Sequence, residues 1–395
     1  MRVELTVIKG PHLGAAFAFD DHASFVVGRH RRAQFRLALE DGYLSRFHFY
    51  VEIKPPECVL VDLKSINHTF VNGSKVDRVS LVDGDTIKAG KTTLRVAIEP
   101  GEPPTLPPPI EEEEGFLPEI PHYRLERLLG AGSCGAVYLA SDDRDQARVA
   151  LKILTPVIAN CPKSIALFER ETELHRKLDH PNIVALYEAG RADGRPFMAM
   201  EYVPGRDALH LVESSGGRLE IGRAVDMACQ ALRALTHAHE AGIVHRDIKP
   251  NNLLVARING RDVVKVVDFG LARIYHDSSL SGLTVQGDVR GTLGFLAPEQ
   301  IIDLRSVGPA ADQYGVAATL YFLLTGERPY TFPGNVQDCL FMILQEDAIP
   351  IRRARPEIPD GLAAAIHRAL SREPDDRYAG VSSMLEAIAP WADAG

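Results

Sequence analysis

The chain has 395 residues, 45% of them hydrophobic and 25% charged, an ordinary globular composition with room for two or three domains. A formal net charge of −9 argues against a nucleic-acid backbone as the main partner. The five cysteines, Cys58, Cys134, Cys161, Cys229 and Cys339, show no paired CxxC spacing, so reduced cytoplasmic thiols are expected rather than a disulfide framework or a zinc site.

Met1–Gly10 reads as a strand, not as a charged region followed by an apolar run, so no signal peptide is expected. Short apolar or alternating runs then recur: Val3–Ile8, Phe25–Val27, Phe49–Ile53, Val59–Asp62, Thr69–Val71 and Thr93–Ile98. Turn pairs Asp41-Gly42, Asn72-Gly73 and Asp83-Gly84 separate them, and residues 1–99 are predicted to form an all-β sandwich. Residues 100–121 carry a proline-rich stretch followed by Glu111–Glu114. Proline stiffens one half and charge solvates the other, so this is an inter-domain linker, able to span roughly 65 Å if fully extended. A proline-rich ligand for another domain is the alternative.

From residue 122 onward strands come first (Tyr123–Leu129, Ala136–Ala140, Val149–Leu154), and helical patterns follow. The longest apolar run, Val316–Leu324, is far too short to cross a bilayer, and no membrane association is expected.

Gly130-Ala131-Gly132-Ser133-Cys134-Gly135-Ala136-Val137 is a GxGxxGxV loop between two strands. Without side chains, backbone amides can approach phosphates closely. The same glycines occur in dinucleotide-binding folds, but there they open a helix, whereas Val137-Tyr138-Leu139 continues as strand. Val149-Ala150-Leu151-Lys152 follows, then a helix predicted over Lys163–Leu178. On its wheel Glu171 sits among Leu167, Phe168, Leu174 and Leu178, while Glu169 and Glu173 face away. A carboxylate inside an apolar stripe needs a partner, and Lys152 is the candidate.

His245-Arg246-Asp247-Ile248-Lys249-Pro250-Asn251-Asn252, then Asp268-Phe269-Gly270, then Ala297-Pro298-Glu299 complete a set that resembles the protein kinase superfamily in order and spacing. The resemblance covers about residues 123–390. It implies an α+β bilobal fold over 122–395, with an N-lobe at 122–202 and a C-lobe at 203–395, and ATP with Mg²⁺ as cofactors, Mn²⁺ being the alternative ion. It implies that Lys152 holds the α/β-phosphates and pairs with Glu171, under the Gly130, Gly132 and Gly135 loop. Asn252 and Asp268 would hold the metal, Asp247 would orient the substrate hydroxyl and accept its proton, and Lys249 would neutralise the γ-phosphate. Lys249 also marks serine/threonine specificity. Val137, Ala150 and Leu254 would enclose the adenine, with Met200 as gatekeeper and Glu201 and Val203 as hinge. Asp312 and Arg377 resemble structural braces, Arg377 as the partner of Glu299. Arg246 before Asp247 implies a basic pocket for an activation-loop phosphate, with Thr284 the first and Ser281 the second candidate site. Thr292 is expected to contact the substrate-binding loop.

In the N-terminal segment, Gly28-Arg29, Ser45-Arg46-Phe47-His48, Ser65-Ile66-Asn67-His68-Thr69 and Asn72-Gly73 occur in the order of a forkhead-associated (FHA) domain, which this segment resembles. That resemblance implies a phosphothreonine reader in which Arg29 and Arg46 contact phosphate, Ser45 adds a hydroxyl and Asn67 holds the ligand backbone. His48 would brace the loops. Ile66 stands where the family often has Ser or Thr. His68 replaces a glycine, so a turn needing positive φ would be strained there.

Taken together, these features point to a multidomain cytoplasmic protein: an active serine/threonine kinase acting on proteins, with a reader for phosphothreonine proteins or for its own phosphosites at linker Thr105 or Thr284. The alternatives are a pseudokinase scaffold and a small-molecule kinase. Lys152, Asp247 and Asp268 speak against the first, and Lys249 with Ala297-Pro298-Glu299 against the second.

Overall fold

This computed structural model describes residues 1–19, 23–37, 41–99, 119–132, 135–155, 159, 161–269, 293–303, 307–333 and 335–392. The expected phosphosites Thr284 and Ser281, together with Thr292, Gly270 and Thr105, lie outside the described residues.

The N-terminal strands are β1 (Arg2–Lys9), β2 (Ala16–Phe19), β3 (Ala23–Gly28), β4 (Phe35–Arg36), β5 (Phe49–Lys54), β6 (Glu57–Asp62), β7 (Thr69–Val71), β8 (Ser74–Val76), β9 (Arg78–Ser80), β10 (Thr86–Ala89) and β11 (Thr92–Glu99). They form two sheets, ordered β2-β1-β11-β10-β7-β8 and β4-β3-β5-β6-β9. Every strand run expected from the sequence falls inside one of them. The pattern missed β2, β4, β8, β9 and β10, each four residues or fewer, too short for an apolar alternation to stand out. Asn72 (φ 50°) and Gly73 (φ 84°) both adopt the left-handed region and close the β7–β8 hairpin.

The two sheets differ on their outer faces. On β1, Val3, Leu5 and Val7 point into the core while Arg2, Glu4 and Thr6 face out. On β3, β5 and β6 both faces are buried. Phe25, Val27, Phe49, Val51 and Leu60 fill the sandwich, and Val26, Tyr50, Val59 and Val61 join a second apolar cluster that includes residues beyond 290.

The remaining chain opens with β12 (Tyr123–Gly132), β13 (Gly135–Asp142), β14 (Arg148–Leu154), α1 (Pro162–His175), β15 (Leu186–Ala192) and β16 (Arg195–Glu201). The sheet is antiparallel with order β12-β13-β14-β16-β15. Helix α1 ends earlier than predicted. Lys177 and Leu178 donate three residues back, to Leu174 and His175, a tightened terminal turn.

The helical lobe contains β17 (Arg206–Asp207), α2 (Ala208–Ser214), α3 (Ile221–Glu240), β18 (Leu253–Ile258), β19 (Arg261–Val266), α4 (Pro298–Ile302), α5 (Ala310–Thr325), α6 (Val336–Gln345), α7 (Ile351–Ala354), α8 (Asp360–Ala369) and α9 (Val381–Ile388). Helix α5 is apolar nearly all round and buried from Ala311 to Leu324, so it is the centre on which α3, α8 and α9 pack. It stops at Gly326, whose φ of 74° permits a left-handed cap; a Cβ there would lie 2.2 Å from the Gly217 carbonyl oxygen. Among the described residues no helix is long and apolar enough to cross a membrane.

Candidate active site

Asp312, on the first turn of buried α5, organises the segment below the cleft. Its carboxylate accepts from the backbone amides of His245 (2.9 Å) and Arg246 (2.7 Å) and from His239 Nε2 (2.7 Å). Arg246 is held at φ 68°, a conformation costly for a non-glycine residue, and its carbonyl is gripped by Gln300 Nε2 at 2.7 Å. These contacts fix Asp247. Lys249 Nζ lies 2.9 Å from Asp247 Oδ2, and Asn252 Nδ2 donates to the same oxygen (3.0 Å) and to the Asp247 carbonyl (2.6 Å). Asn252 thereby commits its amide nitrogen and keeps its side-chain oxygen for another ligand.

Asp268 lies beyond β19 with φ 64°. Lys152 Nζ lies 2.7 Å from its Oδ1. The expected ion pair of Lys152 with Glu171 is not among those of the described residues. Asp268 takes that place because a carboxylate in the cleft needs the nearest cation. Burial pushes the Asp268 carboxyl up, but the charge and hydrogen bond of Lys152, helped by His245 and Lys249, outweigh it and hold it below the usual carboxylate range. Glu171 is buried on α1 as its helical position predicts. Phe269 sits between the rings of His245 (4.7 Å) and His175 (5.8 Å), joining the catalytic segment to α1.

Above this cluster, Val137 pairs with Lys152 and Ala150 with Met200 across the sheet. Met200, Val203 and Leu254 share one apolar cluster where the two lobes meet. The Glu201 side chain is engaged elsewhere, accepting from Lys265 Nζ at 2.8 Å. Its amide donates to the Ala185 carbonyl at 2.9 Å.

The three glycines of the loop differ in what surrounds them. A Cβ at Gly130 or Gly132 would meet no protein atom within 4 Å, so protein packing does not demand glycine there. At Gly135 packing does demand it, because a Cβ would lie 2.1 Å from the Ile153 carbonyl oxygen. Asp268 and Asn252 offer oxygen donors, a donor set that would suit a hard cation such as Mg²⁺. Among the described residues no cluster of three or more His, Cys, Asp or Glu could hold a metal alone.

The structural braces also meet. Arg377 makes a two-pronged pair with Glu299, both contacts 2.7 Å, with the guanidinium fully buried. Sequence reasoning missed Gln300, whose signal is only its place after Pro298-Glu299, and His239, which reads as an ordinary helix residue.

The N-terminal loops gather the other candidate residues. Arg29 N–H donates to the Ser45 carbonyl (3.1 Å), Ile66 N–H donates to Ser45 Oγ (3.1 Å), and Asn67 Nδ2 donates to the Tyr43 carbonyl (2.7 Å). Ser45 therefore still has its own hydroxyl proton to give. Asp62, also missed in the sequence, accepts from Ser65 N–H, Ser65 Oγ and Thr69 Oγ1 and shapes the 63–69 loop. His48 is fully buried; its Nδ1 accepts from Ser45 N–H (3.0 Å) and its Nε2 faces the His68 carbonyl (3.3 Å). Burial lowers its pKa, partly offset by the His68 carbonyl, so it braces as a neutral ring. His68 has φ 58°, the conformation expected where its glycine was replaced, and Ile66 is 84% exposed. The Arg29 and Arg46 guanidinium groups take no part in the hydrogen bonds and ion pairs of the described residues.

The protein kinase domain model matches residues 123–388 and the FHA domain model residues 25–90. The chain belongs to the protein kinase family and carries an FHA domain ahead of its kinase domain. The serine/threonine-protein kinase pkn3 of Myxococcus xanthus is 40% identical over 279 residues, covering 67% of this chain and 50% of that protein. The serine/threonine-protein kinase PknB of Mycobacterium tuberculosis is 36% identical over 269 residues, covering 66% and 41%. The chain thus spans half or less of the length of these relatives. The crystal structure of the Mycobacterium tuberculosis PknI kinase domain matches with a TM-score of 0.54 and 27% identity, covering 69% of this chain and 98% of that one.

Proposed function

We propose that this protein is an ATP-dependent serine/threonine protein kinase. The observation that carries the reading is the constellation of Asp247, Lys249, Asn252 and Asp268 on a segment fixed by Asp312. Phosphoryl transfer asks an enzyme mainly to align oxygens and neutralise charge. Bound ATP would supply the phosphoryl group, and Mg²⁺ the positive charge that balances its oxygens.

In this reading, Asp247 orients the Ser or Thr hydroxyl of a protein substrate and accepts its proton. Lys249 sits 2.9 Å from it and meets the γ-phosphate. Asn252 and Asp268 hold the metal through oxygen, and Lys152, already at Asp268, holds the α/β-phosphates. Glu171 receives Lys152 when α1 and the cleft close on nucleotide. Gly130, Gly132 and Gly135 carry the phosphate-binding backbone. Val137, Ala150, Met200 and Leu254 enclose the adenine, with hinge bonds from the backbone of Glu201 and Val203. Thr284 and Ser281 are the phosphosites that would engage Arg246.

Residues 1–99 form the reader, 100–121 the linker and 122–395 the kinase. The reader binds phosphothreonine through Arg29, Ser45, Arg46 and Asn67, either in other proteins or in this chain's own phosphosites. The protein works in the cytoplasm; Cys58, Cys161, Cys229 and Cys339 are free thiols, consistent with a reducing compartment.

The test is transfer of label from γ-³²P-ATP with Mg²⁺ to a serine/threonine protein substrate. Wild type transfers label and Lys152→Met does not; equal transfer by Lys152→Met refutes the assignment.

A further inference from the structure

The outer face of β3, β5 and β6 is apolar and fully covered. Val26, Tyr50, Val59 and Val61 alternate with residues of the sandwich core, and none exceeds 3% exposure. Their cluster is completed by Leu296, Ile301 and Ile302 at α4 and by Leu340, Ile343 and Leu344 on α6. Strand β3 packs directly on α4. An FHA sandwich that only read phosphopeptides would need one buried face per sheet, with polar residues on the other.

Polar contacts ring this apolar centre. Gln337 Nε2, on α6, donates to the Asp62 carbonyl at 2.7 Å. Lys64 Nζ lies 2.8 Å from Asp338 and over the Phe341 ring. At the other end Arg31 reaches Glu373 and Asp375, both at 3.2 Å, and Arg32 Nε reaches Glu373 at 3.2 Å. The rim is complementary: basic on the sandwich, acidic on the helical lobe.

We propose that the FHA domain has a second role besides reading: its β3-β5-β6 face is a permanent docking surface for the α4/α6 face of its own kinase domain, and so withholds that face from other proteins. The extent of apolar burial resembles a divided core more than a transient contact. The linker raises the local concentration of the partner, favouring the same chain over a second copy. Ser45, Ile66 and Asn67 make none of these contacts, and Ile66 and Asn67 are exposed, while their neighbours Phe47, Leu63 and Lys64 join the interface, so docking holds the ligand loops without covering these three groups. The docked face also touches the catalytic segment through one helix, because Gln300 of α4 holds the Arg246 carbonyl.

The inference is independent of the activity proposed above, and Asp247→Asn chain should dock as wild type does. The test is zero-length carbodiimide cross-linking of dilute full-length protein, read by mass spectrometry. The Lys64–Asp338 amide should form as readily as the internal control Lys265–Glu201, whose charged atoms are also 2.8 Å apart. In an equal mixture of ¹⁴N and ¹⁵N protein, the linked peptides should be wholly light or wholly heavy. Val61→Glu should cut the Lys64–Asp338 yield at least tenfold and leave the Lys265–Glu201 yield intact, which also reports that the kinase domain is folded. Arg31→Glu with Arg32→Glu, both on the surface rim, should cut it several-fold. A missing Lys64–Asp338 link beside a normal control overturns the proposal. So do hybrid light–heavy peptides, which would assign the face to a second copy.

Discussion

The catalytic cleft and the FHA loops place their charges differently. Beneath the cleft, ionised groups are buried in pairs: Lys152 with Asp268, Arg377 with Glu299, and Asp312 with three donors. In the FHA loops the frame is held by the neutral ring of His48 and by Asp62, and the cations Arg29 and Arg46 stand apart from it. Buried pairs fix geometry tightly, but removing one member strands the other in a low dielectric. A frame that does not use the rim cations as partners can lose one of them without losing its shape. The cleft should therefore respond to substitution in folding and function together, and the loops in binding alone.

The largest effect is expected at Asp312. Asp312→Ala leaves the amides of His245 and Arg246 without their acceptor and frees Asp247 from its register. The rate of phosphoryl transfer should fall by about 100-fold or more, with KM for ATP changing far less. A rate within a few-fold of wild type would mean that the catalytic segment holds itself.

Next is the brace pair. Arg377→Met leaves Glu299 half-enclosed without its cation and should cost about 3–5 kcal/mol in urea denaturation. Arg377→Met combined with Glu299→Leu should recover much of that loss, because the pair is then replaced by apolar packing. No recovery would place the energy in the carbonyl contacts of Arg377 to Ala310 and Ser371 instead.

Arg29→Ala should weaken phosphothreonine-peptide binding by about 10–100-fold, the worth of one charge-assisted bond of roughly 1.5–3 kcal/mol. Its unfolding midpoint should stay at the wild-type value. A shifted midpoint would show that Arg29 is part of the frame, and the contrast between the two sites would fail.

The smallest effect concerns His48. Burial lowers its pKa from the ordinary 6.5, so the folded protein holds it neutral where the unfolded chain would already be protonated. The unfolded state then binds more protons, and its stability contribution is present above about pH 6.5 and is lost as pH falls towards the folded pKa. Amide protection factors at residues 43–48 and 65–69 should fall between pH 7.5 and 5.5, and His48→Gln should remove that dependence. Unchanged protection factors would show that the loops do not depend on a neutral ring.

Much of the kinase domain could be read from the sequence because its chemistry demands fixed residue types at fixed spacings. Asp247, Lys249, Asn252 and Asp268 meet in space as they were grouped in the sequence. The helical wheel put Glu171 on the buried face of α1. What it could not supply was which carboxylate Lys152 meets, since Asp268 lies on a distant segment and the choice depends on how the lobes sit. His68 was legible as a positive-φ residue because it interrupts a glycine position. Gln300 and Asp62 were not, since their roles come from one carbonyl and two hydroxyls brought near by folding. The docking face left a trace that the strand reading passed over. Cys58-Val59-Leu60-Val61 is apolar without alternation, the mark of a strand buried on both sides. Its partner, α6, lies more than two hundred residues away in sequence, where no local pattern reaches.

The most direct test sets Asp247→Asn beside Arg29→Ala in the full-length chain, measuring label transfer from γ-³²P-ATP and phosphothreonine-peptide binding on the same preparations. Asp247→Asn should lose transfer and keep binding, and Arg29→Ala should keep transfer to a non-phosphorylated substrate and lose binding. Transfer at the wild-type rate by Asp247→Asn would contradict the account.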